Sequence, residues 1–115
     1  MLAVNFNHNP HTMQQITAEE LAQILKEDPS LQLLDVREPF EHEEYNIGGT
    51  NIPLSNIPFQ IEEIKAMSEH GDIVLYCRTG GRSAMAQKLL GMQFGVENTF
   101  NLLGGVVAWQ QAQEE

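Results

Sequence analysis

Two short apolar runs do most to limit how this chain can fold: "LQLLDV" (Leu31 to Val36) and "IVLY" (Ile73 to Tyr76). Neither alternates polar with apolar residues, as a strand with one face in water does. Both are too short for a buried helix. They read as strands covered on both faces, the signature of a parallel sheet whose neighbours are joined by helical crossovers. The intervening stretches supply helical patterns of the right length. The fold class expected is therefore α/β: a central, mostly parallel sheet of about five short strands, with helices on both faces in three layers.

The rest of the chain fills in that plan. Ile16 ends a strand-like run, and Thr17 to Glu20 forms a capping box that opens a helix. Leu21, Ile24 and Leu25 follow at helical spacing, and Asp28-Pro29 stops the helix. A polar, helical connection runs from Pro39 to Tyr45. "NIGGTNIP" gives a glycine turn, a brief strand at Thr50 to Ile52 and a stop at Pro53. Phe59 to Met67 reads as a helix facing inward through Ile61, Ile64 and Ala66. After the His70-Gly71-Asp72 turn and the "IVLY" strand, Arg82 to Leu90 is helical, with Met85 and Leu89 on one side and Gly91 near its end. A last strand falls within Val96 to Leu102, and Gly104-Gly105 leads into a final helix, Val106 to Gln113.

A chain of 115 residues suits one domain, here 13–115, preceded by a polar, aperiodic stretch at 1–12 that reads as a flexible N-terminal arm. That stretch has no basic, apolar leader pattern, and no apolar run reaches membrane-spanning length. With a single cysteine, an internal disulfide is impossible. The expected setting is the cytoplasm. A formal net charge of −10 argues against nucleic acid and anionic membranes as partners. A monomer is the default, and nothing calls for a cofactor or metal. His8 and His11 lie in the arm without further ligands.

The three arginines are unevenly placed: Arg78 and Arg82 flank the glycine pair Gly80-Gly81 directly after the lone Cys77. In an open parallel sheet, ligands bind beyond the carboxyl ends of the strands, which is where Cys77 stands. The glycines allow a sharp turn in which successive amides converge as an anion-binding nest, and the following helix adds the positive end of its dipole. Each of these favours thiolate over thiol, and the thiolate is the nucleophile. The competing expectation is a small, inert cysteine capping a strand.

Cys77-Arg78-Thr79-Gly80-Gly81-Arg82-Ser83 resembles the active-site loop of the rhodanese family of sulfurtransferases, whose pattern is close to C-R-x-G-x-R-S. "LLDVREPFEHEEYNIGGTNIPL" (Leu33 to Leu54) is similar to the family's first signature, and "LLGGVVAW" (Leu102 to Trp109) to its closing one. "YNIGGT" departs from the family's usual G-H-I-P-G-A. The resemblance covers the chain from Met13 onward and implies a rhodanese-like fold and a persulfide cycle on Cys77. In that cycle the thiolate takes the outer sulfur of a small anionic donor such as thiosulfate, or of a persulfide. It then passes the sulfur to cyanide, a small thiol or a protein thiol. The loop from Arg78 to Ser83 would bind the donor, with Arg82 inside the pocket and Arg78 at the rim. Thr79 could offer its hydroxyl to sulfur, and Ser83 would support the loop as a helix-start residue. One thiol suffices for a persulfide carrier, whereas a dithiol oxidoreductase needs two.

Two rivals are weighed against this. A cysteine-loop phosphatase or arsenate reductase would carry H-C-x5-R, but Cys77 and Arg82 give C-x4-R and Tyr76 replaces the histidine. The shorter loop suits a sulfur atom better than a phosphate. A noncatalytic rhodanese-like docking or regulatory module would tolerate a scrambled loop, and this loop is intact. Asp35 and Arg37 match the family's D-V-R and are expected to form a supporting ion pair. His42, His70 and the glutamates at 41, 43 and 44 are expected to be solvated, and Trp109 to pack in the core.

Overall fold

The computed structural model describes residues 13–114; the arm expected at 1–12, with His8 and His11, lies outside them. The elements are β1 (Gln15–Ile16), α1 (Ala18–Glu27), β2 (Gln32–Asp35), α2 (Pro39–Glu44), β3 (Thr50–Asn51), α3 (Ile61–His70), β4 (Ile73–Tyr76), α4 (Gly81–Phe94), β5 (Thr99–Leu102) and α5 (Gly105–Gln113). One sheet carries all five strands in the order β1-β5-β4-β2-β3, every neighbouring pair parallel. The α/β expectation holds. Among the described residues, no helix is long and apolar enough to cross a membrane.

Two apolar clusters cover the two faces. On one, Leu34, Ile73, Leu75 and Cys77 pack with Ile57, Ile64, Ala86 and Leu90. On the other, Leu33, Val74, Tyr76, Phe100 and Leu102 pack with Leu21, Ile24 and Val106. The split follows the two-residue period of a strand, which sends odd and even positions to opposite faces. Val74 and Tyr76 go to the α1/α5 face, and Ile73 and Leu75 to the α3/α4 face. Cys77 continues the second series, so its side chain is delivered to the layer where α4 begins. Helix α1 starts as expected: Glu20 N–H donates to Thr17 Oγ1 at 3.1 Å, and Thr17 N–H to Glu20 Oε1 at 2.9 Å. Trp109 packs, partly buried, against the second cluster.

Several local expectations are corrected. Leu54–Phe59 is a 3-10 helix, and α3 begins only at Ile61 with Ala66 exposed, leaving Ile64 as its buried contact. Helix α4 runs through Gly91 to Phe94 and ends at Gly95, whose φ of +70° suits glycine. Its buried side is Ser83, Ala86, Gln87 and Leu90, while Met85 is exposed. Of the Met85/Leu89 pair only Leu89 packs, partly buried, against the core, because Ser83 and Gln87 occupy places on the buried side. Gln87 Nε2 donates to the carbonyls of Gln14 and Thr99 at 2.9 and 3.0 Å.

Candidate active site

Cys77 stands one residue beyond β4 in the middle of the sheet, and only 1% of it is exposed. The chain then turns through Gly80, whose φ of +107° is left-handed backbone open to glycine, and enters α4 at Gly81. This turn wraps the first amides of α4 around the sulfur. Gly80 N–H donates to Cys77 Sγ at 3.2 Å, Ser83 N–H at 3.4 Å, and Ser83 Oγ lies at 3.4 Å. Burial pushes the thiol up. The hydrogen bonds from the Ser83 hydroxyl and from the Ser83, Gly80 and Thr79 amides more than offset this and hold it below its ordinary value. The site thus favours an anionic sulfur in a buried setting.

Ser83 is fully buried and has one hydroxyl proton for three acceptors. Besides the sulfur, they are Gly80 O at 3.2 Å and Asn101 Oδ1 at 2.5 Å. Asn101, on β5, also donates from Nδ2 to Gly80 O at 3.3 Å. It therefore braces two of the residues that hydrogen-bond the sulfur. Nothing near Asn101 in the chain links it to the cysteine loop. Its only signal was an asparagine inside a strand that is buried throughout.

The closing glycines also belong to this loop. Val106 N–H donates to Cys77 O at 2.9 Å and Val107 N–H to Arg78 O at 3.1 Å, so the start of α5 docks onto the backbone of the cysteine loop. A Cβ on Gly105 would come within 2.4 Å of Cys77 O and 2.5 Å of Arg78 O. Only glycine permits that approach, and Gly105 also has a φ of +57°.

A second set of charges stands at the end of β2. Asp35, fully buried, accepts from Arg37 Nε at 2.9 and 3.1 Å and from Arg37 Nη2 at 2.7 Å. Burial raises its carboxyl, and the bonds from Arg37 and His42 outweigh that and lower it. His42 Nδ1 lies 2.8 Å from Asp35 Oδ2, so the expectation that His42 is solvated is corrected. An ionised carboxylate can only accept, so this ring nitrogen carries the proton. Tyr76 OH donates to Gly48 O at 2.9 Å and accepts from Ile47 N–H at 3.2 Å. It clamps the "YNIGGT" turn that departs from the family pattern. Desolvation is the main cause of its hydroxyl being pushed up to about 12.

The loop arginines do not both present free charge. Arg82 Nη1 donates to Glu41 Oε1 at 2.7 Å and Nη2 to Oε2 at 3.0 Å, a two-pronged ion pair. Glu41 therefore belongs to the site's surroundings and not to a solvated face, and the bonds from Arg82 hold its carboxyl at about 2. Arg78 is exposed, as are Phe40 on α2 and Leu103 ahead of α5. Thr79 is exposed, and its backbone amide is the group that bears on the sulfur.

Residues 17–112 match the rhodanese-like domain family. A protein named sulfurtransferase from Allochromatium vinosum is 36% identical over 83% of this chain and 86% of its own length. A thiosulfate:glutathione sulfurtransferase of Saccharomyces cerevisiae is 28% identical over 88% of this chain and 81% of its own. Other curated relatives are longer: the chain spans 54% of one and 25% of another. The crystal structure of a rhodanese-like domain protein from Staphylococcus aureus superposes with a TM-score of 0.71 at 28% identity, covering 84% of this chain and 91% of that one. With its parallel sheet, its cysteine loop at the end of β4 and its glycine-docked α5, the chain belongs to the rhodanese family.

Proposed function

We propose that the chain is a rhodanese-type sulfurtransferase that carries a sulfane sulfur on Cys77. The Cys77 thiolate attacks the outer sulfur of a donor. With thiosulfate, the S–S bond breaks, its electron pair leaves on sulfite, and Cys77 becomes a persulfide. A thiolate or cyanide then attacks the terminal sulfur and carries it away as a persulfide or thiocyanate, and the Cys77 thiolate is restored. The observation that carries this reading is the convergence of Gly80 N–H, Ser83 N–H and Ser83 Oγ on a buried, acid-shifted Sγ. Amides of the first turn of α4, such as those of Gly81 and Arg82, have no intrahelical acceptor and suit the terminal sulfur as it gains charge. The relatives' names support the same chemistry, and the yeast relative's name points to thiosulfate as donor and a small thiol as acceptor.

The test is intact mass measurement after incubation with thiosulfate and then with cyanide. Wild type is expected to gain one sulfur atom and lose it to cyanide, and Cys77→Ser to gain none. Failure to form an adduct with any sulfane donor, together with hydrolysis of a phosphate ester, would overturn the reading.

A further inference from the structure

The ion pair between Arg82 and Glu41 bears on which donors the site accepts. Arg82 stands in the first turn of α4, next to Ser83 whose amide and hydroxyl contact Cys77 Sγ, yet both of its terminal nitrogens are held by one carboxylate. That fork is the geometry with which a guanidinium grips a planar or tetrahedral oxyanion. An anionic donor seeking it must displace Glu41 or bind beside a fixed negative charge. Glu41 remains ionised throughout the neutral range, because its carboxyl is held at about 2. The pair is also exchangeable. Its side chains are 37% and 17% exposed, and α2, which carries Glu41, has no buried residue. Solvent reaches both partners, so a competing anion can exchange with the carboxylate without opening a buried core.

We propose that Glu41 is a specificity-determining residue, whose carboxylate occupies the Arg82 fork that an anionic donor needs and so tilts the Cys77 site toward donors of low charge. This deepens the sulfurtransferase reading and rests on it for the word donor. Electrostatic discrimination itself does not depend on sulfur chemistry. A neutral reactant reaches Cys77 without meeting the carboxylate's field, whereas an anion loses part of the attraction that Arg82 would otherwise exert.

Two alkylating agents separate the charge effect from the chemistry. Iodoacetate and iodoacetamide are near-isosteric, both release iodide on reaction with the thiolate, and differ by one negative charge. The amide reports the nucleophilicity of Cys77, and the acetate-to-amide rate ratio reports the field at its mouth. In the full chain, Glu41→Gln is expected to raise that ratio about three- to fivefold, the size typical of removing a partly exposed charge. Glu41→Ala should move it the same way, and adding Arg82→Gln to Glu41→Gln should cancel the gain. The kcat/KM for thiosulfate should rise in parallel in Glu41→Gln. An unchanged ratio overturns the proposal. A lower ratio also overturns it, because Glu41 would then be aiming Arg82 at the anion. If the ratio rises but no form takes sulfur from any sulfane donor, charge discrimination stands and the sulfurtransferase reading falls. If sulfur transfer proceeds and the ratio is flat, only this proposal falls.

Discussion

At the scale of single residues, the site turns on the competition between burial and hydrogen bonding at one sulfur. Cys77 is delivered to a dry layer, which alone would favour the neutral thiol, and the donors around it reverse that preference. The Ser83 hydroxyl is one of those donors, its single proton shared among the sulfur, Gly80 O and Asn101 Oδ1. Ser83→Ala should therefore shift the titration of Cys77 upward and slow its alkylation by iodoacetamide at neutral pH about three- to tenfold. A rate–pH profile superimposable on that of wild type would exclude this role for the hydroxyl. The sign for stability follows from the same shift. The folded thiol lies below its ordinary value of 9.0, so the stabilisation of the thiolate is complete above that value. It is lost as the pH falls through the folded value. Cys77 and its glycine loop were legible in the chain because they are contiguous. Asn101 was not, since it reaches Ser83 only through the pairing of β5 beside β4.

At the scale of elements, three helix starts meet around the loop, and they are held by different forces. The start of α4 supplies amides to the sulfur, that of α5 docks on the carbonyls of Cys77 and Arg78, and α2 is attached through polar side chains. The α5 contact is the least tolerant, because backbone meets backbone. Gly105→Ala puts a methyl inside 2.6 Å of three backbone atoms at a positive φ. It is expected to cost about 2 kcal/mol or more in urea unfolding and to displace the loop. Loss of stability without loss of Cys77 reactivity would mean that the displacement is absorbed within α5. The helices were legible from caps and periodicity, with α4 as the instructive failure. Its buried side carries Ser83 and Gln87 because they satisfy sheet carbonyls and the cysteine loop, so the Met85/Leu89 pair marked it only in part, with Leu89 partly buried and Met85 exposed.

At the scale of the whole molecule, one thin sheet separates two apolar clusters and couples them. Leu21 and Ile64 are fully buried, one in each cluster. Leu21→Ala and Ile64→Ala should each cost about 2–5 kcal/mol. Because the two sides share no direct packing partner in these clusters, the costs should nearly add in the double variant. The sheet common to both should keep unfolding a single transition. Two separate transitions in chemical denaturation would contradict that coupling. Overall charge follows a similar division between what is summed and what is placed. The chain is strongly acidic, but its arginines stand beyond the carboxyl ends of β2 and β4, and the structure pairs Arg37 with Asp35 and Arg82 with Glu41.

The sequence by itself determined the layer architecture, the place of Cys77 just beyond a buried strand and the sharp glycine turn after it. Each depends on residues that are neighbours in the chain, through strand period, helix caps and backbone freedom. Tertiary structure alone decided which groups those residues face. Arg82 meets a carboxylate 41 positions away, Ser83 meets Asn101 18 positions away, and Gly105 lies against the backbone of Cys77. Such contacts are set by strand order and by the packing of helices on the sheet. The charge the loop presents to a substrate is therefore a property of the folded assembly of elements and not of the loop.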